Sequence, residues 1–338
     1  MNIEFHYWLT GIIAEFAGFD QEEAKIIAYS SQYVDDNDVG VKIKDRETDE
    51  LYINYISQTI DITKPKNELM RIYPIFHFVP GKYDTPSALR KDGKLHLLNT
   101  TPNNDNAKKL LFKAFKADRH TLYRIGIASH TYADTWAHQN FVGWYESFNA
   151  IGTNLAPNIG HADAGHDPDI IGHKWNDNRL LKSEVNNTVR FLAAAQELFQ
   201  HYRNYLINTG KEFNSNNSWD KLEELLIELM FPVSTEEKDV EKVRREGYKK
   251  AAPWLPEYDE NDWFRYAVNT DVKGLKDSTK GLLAKLTLFK DRHYWRSEKI
   301  KENTHWYQFQ EAVKAHEACA IEVMSERFAM IGIDLSKA

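Results

Sequence analysis

Residues 124–143, with the sequence RIGIASHTYADTWAHQNFVG, contain three potential metal ligands at intervals of four residues. These are His130, Asp134 and His138, and most of their neighbours are apolar or small. Because each residue of an α-helix turns the chain by about 100°, residues at positions i, i+4 and i+8 share one face. We therefore predict a largely buried helix over residues 119–141, with these three side chains in one stripe.

This stripe has the spacing of a helical metal site. Residues i and i+4 can share one ion, as the paired histidines of zinc-peptidase helices do. A carboxylate between two histidines can bridge two ions, which lie roughly 3.5–4 Å apart in two-metal sites. A polar stripe that faces solvent is the alternative, but a buried aspartate needs partners. We predict that His130, Asp134 and His138 bind metal, with Asp134 shared between two ions.

A second histidine-rich stretch, IGHADAGHDPDIIGH, covers residues 159–173. It lies in a segment rich in Gly, Asn, Pro and Asp, residues 142–176, which we predict to be a long ordered loop. A glycine before each histidine allows tight turns toward a ligand, whereas a polar surface loop is the alternative. The stretch places His161, His166 and His173 among Asp163, Asp167 and Asp169, a combination that packing alone does not readily explain.

Three other places carry histidine or aspartate where packing alone does not explain them. His6 lies in an otherwise apolar N-terminal helix, where a core histidine with satisfied hydrogen bonds is the alternative. Asp35, Asp36 and Asp38 cluster at the end of the second helix. A solvated helix end would explain them, but acids there oppose the helix dipole. His77 lies between two phenylalanines in a Pro-bounded loop, which indicates burial.

The rest of the pattern is mainly helical and predicts a single domain over residues 1–338. Apolar spacing predicts a helix over 4–17 that ends at Gly18, and Asp20 with Glu23 forms a capping box for the next helix. Alternating residues predict a β-hairpin insertion at 41–63. Further predicted elements are a short strand pair in KDGKLHLL (91–98), helices at 104–117 and 119–141, and helices from 183 onward with breaks near Gly210, Pro232, Pro253 and Gly281. In this scheme a metal-site core occupies about residues 1–180, and a helical C-terminal extension occupies about 181–338.

Composition limits the class of protein. The 338 residues carry a formal net charge of −7, which disfavours a nucleic-acid polymer as a partner. Cys319 is the lone cysteine, so an internal disulfide is excluded. The N-terminal stretch lacks a basic n-region and a cleavage site, and no apolar run approaches the roughly 18 residues of a membrane span. We expect a cytoplasmic protein without a transmembrane segment.

The order of these motifs resembles that of the zinc-dependent phospholipase C and single-strand-specific zinc nuclease superfamily. The matching elements are His6, the Asp35–Asp36 pair, His77, the HTYAD motif at 130–134 and the later histidines. This resemblance covers the first half of the chain. The chain is also similar, over most of its length, to an uncharacterised bacterial family that begins with the EFHYW helix and carries the YVDDND and GHADAGH runs.

Members of that superfamily are largely helical, bind up to three zinc ions and hydrolyse phosphodiesters. The resemblance therefore implies a multi-helix bundle of the phospholipase C and zinc nuclease type, here with a small β-hairpin insertion. Their mature N-terminus is itself a zinc ligand, whereas nothing in this sequence suggests processing. The ligand set that the resemblance implies is, in chain order, His6, Asp35 or Asp36, His77, His130, Asp134, His138 and His161 or His166.

These observations predict a metal-dependent phosphodiesterase that uses metal-activated water. Zinc is the expected metal, in two or more sites, and manganese or iron would also suit histidine and carboxylate ligands. We expect the substrate to be a small phosphoester, such as a phospholipid headgroup or a small nucleotide. Asp36 and Asp167 are the candidates for orienting the attacking water.

Two other functions stay open. The His166–Asp167 doublet would suit an HD-type phosphohydrolase, although Gly165 and Pro168 disfavour the helix on which such doublets lie. A non-catalytic, metal-binding helical scaffold is the second alternative. Structural zinc sites are usually closed and often rich in cysteine, so the surplus of carboxylates favours open sites instead.

Overall fold

A computed structural model of the chain describes residues 1–59, 61, 66–151, 159–214, 216–231, 237–271 and 292–337. The protein is mainly α-helical, as predicted. Two π-helical turns, Glu4–Leu9 and Tyr73–His77, accompany the α-helices. The helices are α1 (Thr10–Ala17), α2 (Gln21–Asp36), α3 (Lys66–Ile72), α4 (Asp105–Phe115), α5 (Thr121–Ala137), α6 (Asn187–Asn208), α7 (Trp219–Met230), α8 (Glu237–Ala251), α9 (Asp262–Ala267) and α10 (His305–Ala329).

Helix α5, which carries the opening motif, lies at the centre of the bundle. It packs against α2, α4, α6, α10 and the second π-helical turn. Every residue from Ile125 to Ala137 is buried, as the apolar neighbours of the stripe predict. The helix ends at Ala137, so the prediction that it continues to residue 141 is wrong, and His138 is its C-cap residue. One core cluster joins residues from Met1 to Leu335, so the C-terminal half contributes to the same core.

The N-terminal segment differs from the single helix predicted over 4–17. The chain forms a π-helical turn over Glu4–Leu9 before α1 begins. The helix ends at Gly18, which has a left-handed φ of 118°, as predicted. The capping box is also confirmed: the Glu23 backbone N–H donates to Asp20 Oδ1 at 2.9 Å, and the Asp20 N–H donates to Glu23 Oε2 at 3.1 Å.

The predicted hairpin belongs to a larger sheet. The described strands are β1 (Lys42–Lys44), β2 (Leu51–Ile53), β3 (Lys174–Asn176), β4 (Glu184–Asn186), β5 (Val268–Asp271) and β6 (Arg292–Trp295). Strands β1 and β2 pair antiparallel, which confirms the hairpin, and two later strands complete a four-stranded sheet in the order β2-β1-β6-β5. Strand β6 runs parallel to β1, and the sequence analysis missed both β5 and β6. Strands β3 and β4 form a separate antiparallel pair.

The strand pair predicted in KDGKLHLL is wrong, because residues 91–98 form turns and irregular structure. Gly93 adopts a left-handed φ of 70°, and Asp92 accepts a hydrogen bond from the Lys94 N–H, so local turn chemistry overrides the alternation. The breaks near Gly210 and Pro253 follow the ends of α6 and α8, while those near Pro232 and Gly281 lie outside the described residues. Within the described ranges, no helix has the length and apolar character that crossing a bilayer requires.

The contact between α2 and α5 depends on Gly126. A Cβ atom at this position would lie 2.5 Å from Ser30 Cβ and 2.6 Å from the Ile27 carbonyl oxygen. Because both atoms are fixed by α2, we expect Gly126→Ala to lower the free energy of unfolding by about 1–3 kcal/mol, measured by urea denaturation. Gly247→Ala in α8 is the control, since its Cβ would meet only the movable end of Leu229 at 3.0 Å. Unchanged stability of Gly126→Ala would show that the two helices are not in close contact here.

Candidate metal centre

The two π-helical turns each contribute one histidine to the interior. His6 lies in the Glu4–Leu9 turn and His77 ends the Tyr73–His77 turn, and both are buried. Such turns are rare and often occur at functional sites. The first turn is anchored by Glu4, which accepts hydrogen bonds from Arg244 of α8 at 2.6 and 2.9 Å. Irregular helical backbone therefore directs these two imidazoles toward α5.

Among the residues that the structure describes, three groups of side chains have ligand atoms within 4.8 Å of one another, close enough for each group to hold a metal ion. Two of them share His130 of α5. The third combines the C-cap residue of α5 with the loop after it. The groups are His6, His130 and Asp134; Asp35, His77 and His130; and His138, His161 and Asp169.

Four of the histidines are oriented by backbone carbonyl groups. Each donates one ring N–H to a carbonyl oxygen, which directs its second nitrogen toward the candidate ligands and leaves that nitrogen as an acceptor. The pairs are His130 Nδ1 with Ser31 O at 2.8 Å, His77 Nε2 with Ser57 O at 3.1 Å, His138 Nδ1 with His77 O at 2.8 Å and His161 Nδ1 with Gly165 O at 2.9 Å. Metal-binding histidines are typically held in this way.

The acceptor atoms of two groups converge on one another. His130 Nε2 lies 3.1 Å from His77 Nδ1, and Asp134 Oδ2 lies 3.2 Å from both nitrogens. Burial and the neighbouring His6 lower the pKa of His130 to about 4, so this ring is neutral near pH 7. Burial lowers the pKa of His77 as well, but its hydrogen bond to Asp134 and the charges of Asp35 and Asp134 together outweigh that effect and raise it. Either a proton on His77 or a metal ion is therefore needed between these lone pairs.

The third group repeats this arrangement nearer the surface. His138 Nε2 lies 3.2 Å from Asp169 Oδ1, and His161 Nε2 lies 3.3 Å from Asp169 Oδ2. Phe78 stacks on the His138 ring at a centroid distance of 4.3 Å and limits its rotation. Burial lowers the pKa of His161, although the Asp169 charge acts in the opposite direction. In this group, two imidazole nitrogens thus face the carboxylate oxygens of Asp169.

Asp134 is the central carboxylate of the site and is 1% exposed. Burial raises its pKa, but His138, the amine of Met1 and other neighbours outweigh that effect and hold it well below the usual value. The Met1 amine lies 2.5 Å from Asp134 Oδ1 and 3.2 Å from Asp169 Oδ1, so a cation already lies between these two acids. Burial lowers the pKa of this amine, but the same carboxylates raise it to about 10.

The candidate ligands differ in their exposure to solvent. The His6 and His130 side chains are fully buried, whereas Asp35 is 27% exposed, His161 is 20% exposed and Asp169 is 15% exposed. A molecule from solvent can therefore meet the second group at Asp35 and the third group at its loop. The first group is closed beneath them.

Most of the predicted ligands come together in these groups. His6, Asp35, His77, His130, Asp134, His138 and His161 are members, whereas His166 is exposed and lies outside all three. The chain turns at Gly165, which has a left-handed φ of 59°, and the turn leaves His166 on the surface. The sequence analysis missed Asp169 as a ligand, although its own loop contained it. No sequence signal separates Asp169 from Asp163 and Asp167 in that stretch.

The two acids predicted to orient water also lie outside the groups. Asp36 accepts hydrogen bonds from Gln32 at 3.0 Å and from the Tyr258 hydroxyl at 2.7 Å, and burial raises its pKa to about 6. Asp167 accepts from His173 at 3.1 Å. Residues 165–169 form turns rather than a helix, so the His166–Asp167 doublet lacks the setting of an HD-type site.

Comparison with known proteins identifies a family but no characterised relative. No curated protein and no solved structure matches the chain. A family model, described as a family of unknown function (DUF6765), matches residues 1–324, which include all three candidate ligand groups. The chain therefore belongs to the family of unknown function DUF6765.

Proposed function

We propose that this protein is a metal-dependent hydrolase that cleaves a small phosphodiester. The observation that carries the proposal is the convergence of two imidazole nitrogens on a buried carboxylate, while each ring already donates its other N–H to the backbone. His130 Nε2, His77 Nδ1 and Asp134 Oδ2 lie 3.1–3.2 Å apart, and the nitrogens that carry the protons bond to backbone carbonyls. A divalent cation would relieve this repulsion and offset the buried carboxylate charge.

The type of ligand supports zinc, with two or more ions. Imidazole nitrogen and carboxylate oxygen are its common ligands besides cysteine, and manganese or iron also accept such sets. Three groups of ligand atoms are present, and Asp134 touches residues of all three through His6, His77 and His138. This arrangement is suited to adjacent ions that share a carboxylate.

The residues at the solvent side would receive the substrate. When bound, metal ions offset the charge of phosphoryl oxygens and lower the pKa of water. Asp35 and Asp169 are partly exposed and lie at the two edges of the centre, where their carboxylate oxygens can accept hydrogen bonds from an attacking water and orient it. Phe78, stacked on His138, supplies an apolar wall beside the third group. His6 and His130 would stay inaccessible to substrate because they are fully buried.

The resemblance to the zinc-dependent phospholipase C and zinc nuclease superfamily supports the same reaction class. An early histidine, an acid at the end of the second helix, a histidine in the segment that follows and a central H-x-x-x-D pair occur in matching order, and in this chain they are close in space. We also propose that the helical bundle of this protein has the same fold as that superfamily, a phospholipase C-like fold. A phospholipid headgroup or a small nucleotide is the proposed substrate.

Protein produced with a C-terminal tag and purified without chelator should retain two or more equivalents of transition metal. The reason is that the buried acceptors need compensating cations. Inductively coupled plasma mass spectrometry measures the content directly. Less than half an equivalent of any such metal, even after reconstitution with zinc, would overturn the proposed function.

Asp134→Asn should lose more metal than His138→Ala, because a shared carboxylate serves more than one ion. The loss should also lower the thermal midpoint of unfolding, since metal binding is linked to folding. Asp177→Asn is the matched control: Asp177 is equally buried but pairs with Arg179 at 2.6 Å, so its loss should lower stability and leave metal content unchanged. Equal metal content in Asp134→Asn and wild type would exclude the shared role.

A chromogenic bis-aryl phosphate should be hydrolysed in a metal-dependent way, and His130→Ala should abolish turnover. His293→Ala is the control for loss of a histidine, because His293 lies in β6 of the sheet and belongs to none of the ligand groups. A panel of diesters, monoesters, phospholipids and nucleotides with no metal-dependent turnover, from metal-replete protein, would indicate a non-catalytic metal-binding scaffold instead.

A further inference from the structure

The N-terminal end of α6 contacts the turn that carries Asp169. Asn187, the first residue of α6, is fully buried. Its side-chain amide donates to the carbonyl oxygens of Asp167 at 2.7 Å and Ile170 at 2.8 Å, and its backbone N–H donates to His173 O at 2.9 Å. The two side-chain bonds bracket Asp169 in the sequence. Asn187 therefore fixes the turn from which the third ligand group takes its carboxylate.

The same end of α6 also contacts the segment that carries His138. Arg190 is buried and donates through Nη2 to the carbonyl oxygens of Trp136 and of Ala137, the latter at 2.5 Å. With the Gln139 amide oxygen turned toward the guanidinium, Gln139 accepts from Arg190 Nε at 2.6 Å. A positive charge at a helix C-terminus is favourable because it meets the negative end of the dipole. Arg190 therefore holds the chain on both sides of His138.

These two side chains form one unit. Arg190 Nη1 donates to Asn187 Oδ1 at 3.1 Å, and Trp175 Nε1 donates to the same oxygen at 3.2 Å. Because the two residues bond to each other, α6 holds both the end of α5 and the 167–170 turn in place. Neither residue touches the ligand atoms themselves, because both bond to backbone or amide groups beside them.

We propose that Asn187 and Arg190 are positioning residues that set the separation of His138 and Asp169, and with it the metal affinity of the third group. In this structure the separation between His138 Nε2 and Asp169 Oδ1 is 3.2 Å. The inference rests on the proposed metal centre. It places part of the site's support in a helix beyond residue 180, where the sequence gives no sign of metal chemistry.

Two variants test the proposal. Arg190→Lys keeps the charge but cannot reach all of the acceptors, since a single ammonium replaces the planar guanidinium. Asn187→Asp keeps the size and Oδ1 but loses both side-chain donors. Each should lower the affinity for one ion by roughly 10- to 100-fold, the usual cost of losing support for a ligand, while the other ions stay bound. Metal content and the visible spectrum of the cobalt-substituted protein report the loss of that one site.

Arg203→Lys is the matched control. Arg203 lies on the same helix, about 20 Å farther along its axis, and likewise donates to two backbone carbonyls, those of Phe16 and Asn217. Its replacement should leave metal content unchanged. Full wild-type affinity at every site in both Arg190→Lys and Asn187→Asp would overturn the positioning role, and so would an equal loss of all ions. A metal-free wild type would instead overturn the proposed function.

A measurement on the wild-type protein keeps the test independent of how the variants fold. Removal of the ion of the third group with a chelator should speed amide hydrogen exchange in residues 136–139 and 167–173 together. Residues 130–134, in the middle of α5, should stay protected. Exchange that changes in only one of the two segments, or in neither, would contradict the coupling through α6.

Discussion

The carboxylate of Asp134 has to be compensated inside the protein, and much of the structure follows from that requirement. A buried charge is costly unless it is paired and hydrogen-bonded. Here the partners are supplied by segments far apart in the chain: the Met1 amine, His6 of the first π-helical turn, His77 of the second, His130 of α5 and His138 at the C-cap of α5. Packing α5 at the centre of the bundle brings these segments to one point.

The backbone also contributes to the site, because its carbonyl groups determine which nitrogen of each imidazole ring faces the centre. Carbonyl groups of Ser31, Ser57, His77 and Gly165 accept one N–H from each of four imidazoles. These carbonyls come from a helix, a loop, a π-helical turn and a glycine turn. The tight contact of Gly126 with α2 keeps Ser31 within reach of His130. The orientation of the ligand rings therefore depends on helix packing and backbone turns outside the ligand groups.

Much of this arrangement was predictable from sequence, because helical periodicity is a local property. The i, i+4 spacing of His130 and Asp134, the capping box and the hairpin all depend on residues close in the chain. The parts that sequence could not supply depend on distant contacts. Strand β6 forms through pairing with β1, more than two hundred residues away, and β5 pairs in turn with β6. Asp169 is distinguished from its acidic neighbours by its contacts with His138 and His161, and Asn187 holds the turn that carries it.

His138 belongs to a candidate ligand group, as predicted from its sequence position, but its local structure differs from the prediction. The sequence analysis placed it on the helical stripe, but the helix ends one residue earlier. In the C-cap position its ring turns toward the loop, and it bonds to His77 O and approaches Asp169. The end of the helix is what joins the α5 ligands to the loop ligands, and Arg190 of α6 stabilises that end.

Anomalous diffraction from crystals of metal-replete protein tests the central claim most directly. Data collected on both sides of the absorption edge of the metal found in the protein identify its positions. The proposed centre predicts anomalous peaks within about 2.0–2.3 Å of ligand atoms, with at least one beside Asp134 and another among His138, His161 and Asp169. A map without a peak at Asp134, in which protons and the Met1 amine alone satisfy the carboxylate, would contradict the account.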